Sequence, residues 1–292
     1  MGLSEARLLW NARAILGEGP IWSPSDRSIY WVDIKGPWLH QYGLDDGGRV
    51  SRRMPEPIGW IIRRTGRPGF IAGFKSGIAE LDLDPVRIRW RLKPEPDQPG
   101  NRLNDAKADR KGRIWFGSMD DAETRQTGSL YRLDRDFTAT RVDTGYGVAN
   151  GPALSPDETV LYHTDSVKRL VYRFDVDPDG GLSNKRVFAR FSERDGYPDG
   201  MTVDADGGVW IAHWLGWRVT RFKPDGTEDR AIAIPVARVT SCVFAGPKLD
   251  RLMVTTASIG VATEDRASQP DAGGLFEVDP GCRGMMPCTA AL

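Results

Sequence analysis

The sequence predicts an all-β protein built from six copies of one strand unit, on three observations. Short runs rich in β-branched and aromatic residues recur along the 292-residue chain: SIYWVDI, FIAGF, IWFGSM, VLYHTD, VWIAHW and LMVTTA. Turn-forming residues separate them, drawn from 33 glycines, 20 prolines and many Ser and Asp, while long helical periodicity is nearly absent. The runs also sit inside longer segments that align with one another at intervals of 41 to 49 residues.

In chain order, the first segment is EGPIWSPSDRSIYWVDI from Glu18. A weaker copy, WIIRRTGRPGFIAGFKSGIAELDLD, aligns Trp60 with that origin. NDAKADRKGRIWFGSM follows from Asn104, NGPALSPDETVLYHTD from Asn150 and DGMTVDADGGVWIAHW from Asp199. TSCVFAGPKLDRLMVTTA, from Thr240, completes the series. In the four stronger copies the fifth residue past the origin is a turn-former: Ser23, Asp109, Ser155 or Asp204. An aromatic follows eleven to thirteen residues past it: Trp31, Trp115, Tyr162 or Trp210. Each copy therefore reads as a strand, a tight turn and a second buried strand. A third strand usually comes next, as in GSLYRLD, RLVYRFDVD, WRVTRFKPDG and GGLFEVDPG.

That unit and period suit a four-stranded propeller blade, so origins at 18, 60, 104, 150, 199 and 240 predict a six-bladed β-propeller, one domain over 1–292. The stretch RLLWNARAIL before the first copy has no partner of its own. It is expected to add the outer strand of the last blade and close the ring, removing two exposed edges. The tail, 282–292, is expected to be poorly ordered.

Forty basic and forty acidic side chains give a formal net charge of zero, which argues against a nucleic-acid surface or a basic membrane-binding face. Three cysteines without a CxxC pair favour a reducing compartment. The N-terminus lacks a signal-peptide core, and no apolar run is long enough to span a bilayer. A cytoplasmic protein, monomeric or weakly oligomeric, is expected. His40, His163 and His213 show no metal-binding spacing, and no GxSxG elbow is present. Arg63 and Arg64 are expected to form a salt bridge between blades.

In a propeller the origins of the innermost strands meet around the axis. Glu18, Trp60, Asn104, Asn150, Asp199 and Thr240 thus become neighbours. Carboxylates and amides gathered there cost free energy unless something compensates them. A divalent cation would do so, and oxygen donors suit Ca, Mg or Mn, with Zn or Fe(II) also possible where water positions stay open. The competing interpretation is that Asp and Asn merely cap turns.

The motifs GEGPIW, NRLNDAKADRKGRIWFGSM, NGPALSPD and YPDGM, in this order and spacing, resemble the gluconolactonase/regucalcin (senescence-marker-protein) family. VDIKGPWLHQY and LYHTDSV look closest to its bacterial pentonolactonases, such as xylonolactonase. The resemblance implies metal-dependent hydrolysis of a small sugar aldonolactone to the sugar acid. It implies Glu18, Asn150 and Asp199 as ligands of one divalent metal, Ca, Zn, Mn, Mg or Fe(II). Asp199 is also implied as general base, with Asn104 beside the metal holding water or substrate, and Arg102 and Asn104 orienting the sugar and stabilising the developing oxyanion. Trp60 would offer an apolar face to the sugar or simply pack at the channel mouth, and Asp121 and Glu123, near Asp120, would supply acidic contacts. The alternatives are a non-catalytic propeller that binds calcium or sugar, and a hydrolase of other esters.

Overall fold

The computed structural model describes residues 5–292. Six four-stranded antiparallel sheets follow one another around a ring. Their innermost strands are Gly17–Ser23, Ile58–Arg63, Asn101–Ala108, Ala149–Leu154, Tyr197–Val203 and Val239–Ala245, blades 1 to 6 in order. Arg7–Trp10 pairs antiparallel with Leu275–Val278 in blade 6, so the N-terminal strand closes the ring as expected. Arg7 and Arg251 share the carboxylate of Glu277 across that seam, Arg251 Nη2 at 2.8 Å.

The repeated turn residue and aromatic form a buried latch in two blades. Trp115 Nε1 donates to Asp109 at 3.0 Å, and Trp210 Nε1 to Asp204 at 2.8 Å. Both carboxylates also accept backbone N–H groups of their own turn, Arg113 N at 3.0 Å and Gly208 N at 2.8 Å. The core lies between blades. One seam packs Val32, Leu39, Ile61 and Phe74 of blades 1 and 2, and the next packs Trp60, Ile71, Phe116 and Tyr131 of blades 2 and 3.

Two expectations fail. The tail is docked, crossing the ends of the inner strands opposite their origins. Gly284 N donates to Leu249 O at 2.7 Å, Ala290 N to Arg63 O at 2.8 Å and Ala291 N to Gly112 O at 2.9 Å. Ala290 is fully buried, because it fills the gap between blades 2 and 3 as an added strand residue beside Arg64. The predicted inter-blade salt bridge is also absent at Arg64, which pairs within its own blade with Glu80 at 3.0 Å and with Asp82 at 2.5 Å. Arg63 instead reaches Ser25 Oγ of blade 1 at 3.0 Å.

Candidate functional site

Every innermost strand breaks its ladder at the same level. The irregularities fall at Glu18/Ile21, Ile58/Trp60, Leu103/Ala106, Asn150/Ala153, Pro198/Met201 and Val239/Ser241. A bulge frees its residues from strand pairing and re-aims their side chains, a device common beside active sites. Here Asn104 and Asp199 lie inside the irregularity, and Glu18 and Asn150 are the last paired residues before it. Glycine follows three of these positions where the chain must bend. Gly19 has φ of 53°, a left-handed conformation natural to glycine.

In blade 2 the bulge residue is Gly59, one position before the predicted origin. A Cβ at Gly59 would lie 2.4 Å from Leu103 O and 2.9 Å from Asn104 O, so blade 2 adds no side chain there. The expectation for Trp60 is corrected accordingly. Its indole is 1% exposed, buried in the seam with its ring 5.9 Å from that of Phe116, and it offers no face to a sugar. Thr240 holds a ring position as a stitch, its hydroxyl donating to Gly17 O of blade 1 and lying 2.9 Å from Thr255 Oγ1.

The amides form a chain. Arg102 Nη1 donates to Asn104 Oδ1 at 2.5 Å, while Asn104 Nδ2 donates to Asn150 Oδ1 at 2.7 Å and to Ala149 O at 2.8 Å. Asn150 Nδ2 then donates to Ser166 Oγ at 3.0 Å, and Ser166 donates to Pro198 O at 2.6 Å. Asn104 is thus occupied as a spacer between Arg102 and Asn150. Ser166 fixes which way the Asn150 amide faces, and nothing in the sequence marked it.

Three buried carboxylates lie near enough for their charges to act on one another. Glu18 and Asp199 were expected. Asp105 was not, although it shares the blade 3 bulge with Asn104. Burial, then the Asp105 charge, pushes Glu18 up to about 8, with Gly19 N, 3.0 Å from Glu18 Oε2, opposing. Burial pushes Asp105 up to about 6, against the charge of Lys107. Burial, then the charges of Glu18 and Asp105, holds Asp199 well above the usual carboxylate range. Oxygen donors that resist ionisation until a positive charge joins them fit a hard divalent cation.

At the mouth, Arg102 is 4% exposed, and its Nε lies 3.1 Å from Asp121 Oδ1. Burial raises the Asp121 pKa, but hydrogen bonds from Lys35 and Lys75 outweigh it and bring the group to about 2. Glu123 is exposed, near enough for its charge to act on Arg102 and Asp199. Asp120 points into its own loop, accepting Thr124 N at 3.0 Å and Arg125 Nη2 at 2.9 Å. His40, His163 and His213 are buried in blades 1, 4 and 5, as packing residues.

Comparison with known proteins agrees with this architecture. The chain is 36% identical over 284 residues to an L-arabinolactonase of Azospirillum brasilense, covering 96% of this chain and 94% of that one. It is 38% identical over 276 residues to a pentonolactonase of Haloferax volcanii, covering 92% of each. A calcium-binding regucalcin of Agrobacterium tumefaciens superposes with a TM-score of 0.94 at 26% identity, over 99% of this chain and 98% of that one. The model of the SMP-30/Gluconolactonase/LRE-like region matches residues 16–258, and the chain belongs to that family.

Proposed function

We propose that the protein hydrolyses a sugar aldonolactone, of the pentono- or hexono- class, to its open sugar acid, using one divalent cation held by Glu18, Asn150 and Asp199. The observation that carries this reading is the pair of buried carboxylates Glu18 and Asp199, near enough for their charges to act on each other, with an oriented Asn150 oxygen and a buried Arg102 in the same hydrogen-bonded layer. The family's sugar lactonases support the substrate class. A divalent cation there supplies Lewis-acid polarisation of the ester carbonyl.

The chain's own groups do the rest. The Asp199 carboxylate takes a proton from the water that attacks the carbonyl carbon. Asp199 is buried beside Glu18 and is ionised only with the positive charge of the cation next to it, which leaves its free oxygen as the acceptor for that proton. The Arg102 guanidinium faces the charge that develops on the carbonyl oxygen, in a buried setting where such an interaction is strong. When the ring C–O bond breaks, the leaving oxygen takes the proton that Asp199 carries, which completes the balance of lactone plus water to hydroxy acid. Asn104 holds Arg102 and Asn150 in register, and Asp121 and Glu123 meet substrate hydroxyls at the mouth.

The test is acid release from a panel of pentono- and hexonolactones, using protein stripped with chelator and re-supplied with single metals. Metal-restored turnover that Asp199→Ala abolishes is expected. Tight metal binding without turnover on any lactone would leave a non-catalytic binding propeller.

A further inference from the structure

Three cations from three blades meet on one carboxylate at the mouth. Lys35, Lys75 and Asp121 each follow the second strand of their blade, 1, 2 and 3 in turn. Lys35 Nζ lies 2.8 Å from Asp121 Oδ1, Lys75 Nζ 2.8 Å from Oδ2, and Arg102 Nε 3.1 Å from Oδ1. The lysine side chains are 31% and 38% exposed, so solvent screening leaves each pair little to add to the stability of the fold. Stability gives little reason for the arrangement. Orientation gives a better one. The two lysines donate one hydrogen bond to each oxygen while the Arg102 contact is ionic, and an ionised carboxylate offers about four lone-pair sites, so about two remain for a ligand. Asp121 can therefore accept a hydroxyl while the neighbouring guanidinium donates to the next oxygen. A polyol presents such adjacent groups.

The other half of the mouth differs in kind. The corresponding turns of blades 4, 5 and 6 expose Val167, Leu215, Trp217 and Ile259. A hydroxyl-bearing edge would face blades 1 to 3, and a C–H face would lie toward blades 4 to 6.

We propose that Lys35 and Lys75 are positioning residues that set specificity for hydroxylated lactones, clamping Asp121 beside Arg102 so that Asp121 accepts the substrate hydroxyl adjacent to the carbonyl oxygen that Arg102 faces. This rests on the lactonase reading above. The test is steady-state kinetics on arabinonolactone with Lys35→Met, Lys75→Met, the double variant and the Lys→Arg pair, with a thermal melt of each. The double variant should raise KM about tenfold and leave kcat within about twofold, with its melting temperature near that of the parent. The Lys→Arg pair should recover most of the loss. Unchanged kinetics, a fall in kcat at constant KM, or arginine failing to rescue would overturn the clamp. A parent protein that turns over no lactone would take the lactonase reading down with it, whereas an active parent with indifferent lysines defeats the clamp alone.

Discussion

Replacing Glu18 with Gln should change stability in opposite directions with and without metal. In the metal-free protein, burial and the nearby Asp105 push Glu18 from an ordinary 4.5 to about 8. Each tenfold change in proton affinity is worth about 1.4 kcal/mol. At pH 7 the folded protein therefore gives up about 3 kcal/mol by keeping this carboxyl protonated when the unfolded chain would ionise it. The sign follows from linkage. An acid with a raised folded pKa costs nothing below its unfolded value, and the cost grows as pH rises from about 4.5 toward about 8. Glu18→Gln removes the ionisable group and keeps its size. In chelator at pH 7 the variant should melt about 6 °C above the parent, and the gap should close as pH falls to about 4.5. With saturating manganese the order should reverse, because the parent keeps a carboxylate ligand that the variant lacks. The assay is a pair of thermal melts across pH, with chelator and with metal. A metal-free variant that melts below the parent at pH 7 would refute the reasoning.

Three other outcomes are expected. Ser166→Ala should leave the fold intact but weaken metal binding about tenfold by titration, because the Asn150 amide loses the hydroxyl that orients it. Gly59→Ala should lower lactone turnover about tenfold or more, since its Cβ would press on Leu103 O at 2.4 Å and displace the strand that carries Arg102 and Asn104. Deleting 282–292 should lower the melting temperature by about 5 °C or more, because it uncovers the seam filled by Ala290 and frees the backbone groups of Arg63 and Gly112.

What the sequence revealed, and what it hid, follows from how far each signal reaches along the chain. The blade repeat was legible because its determinants are local: an Asp and a Trp six residues apart latch one turn, as Asp109–Trp115 and Asp204–Trp210 do. Glu18, Asn150 and Asp199 could be aligned because each stands beside a glycine within such a repeat. Blade 2 misled because its bulge falls on Gly59, which leaves no polar residue to mark the position, and the conspicuous Trp60 one step later belongs to the seam. Asp105 was passed over because a single origin was assigned per repeat, and Asp105 is the second of the two residues that the blade 3 bulge leaves unpaired. The docked tail was out of reach of any local pattern. Its contacts to Arg63, Gly112 and Leu249 are all distant in sequence, and GCRGMMPCTAAL carries no strand alternation.

The central claim is that the axial oxygens of Glu18, Asn150 and Asp199 form one metal centre. Anomalous diffraction from crystals grown with manganese tests it most directly. A single strong peak is expected on the propeller axis, about 2.0–2.6 Å from a carboxylate oxygen of Glu18, from Asn150 Oδ1 and from a carboxylate oxygen of Asp199. A peak elsewhere, or an axis without one at saturating manganese, would contradict it.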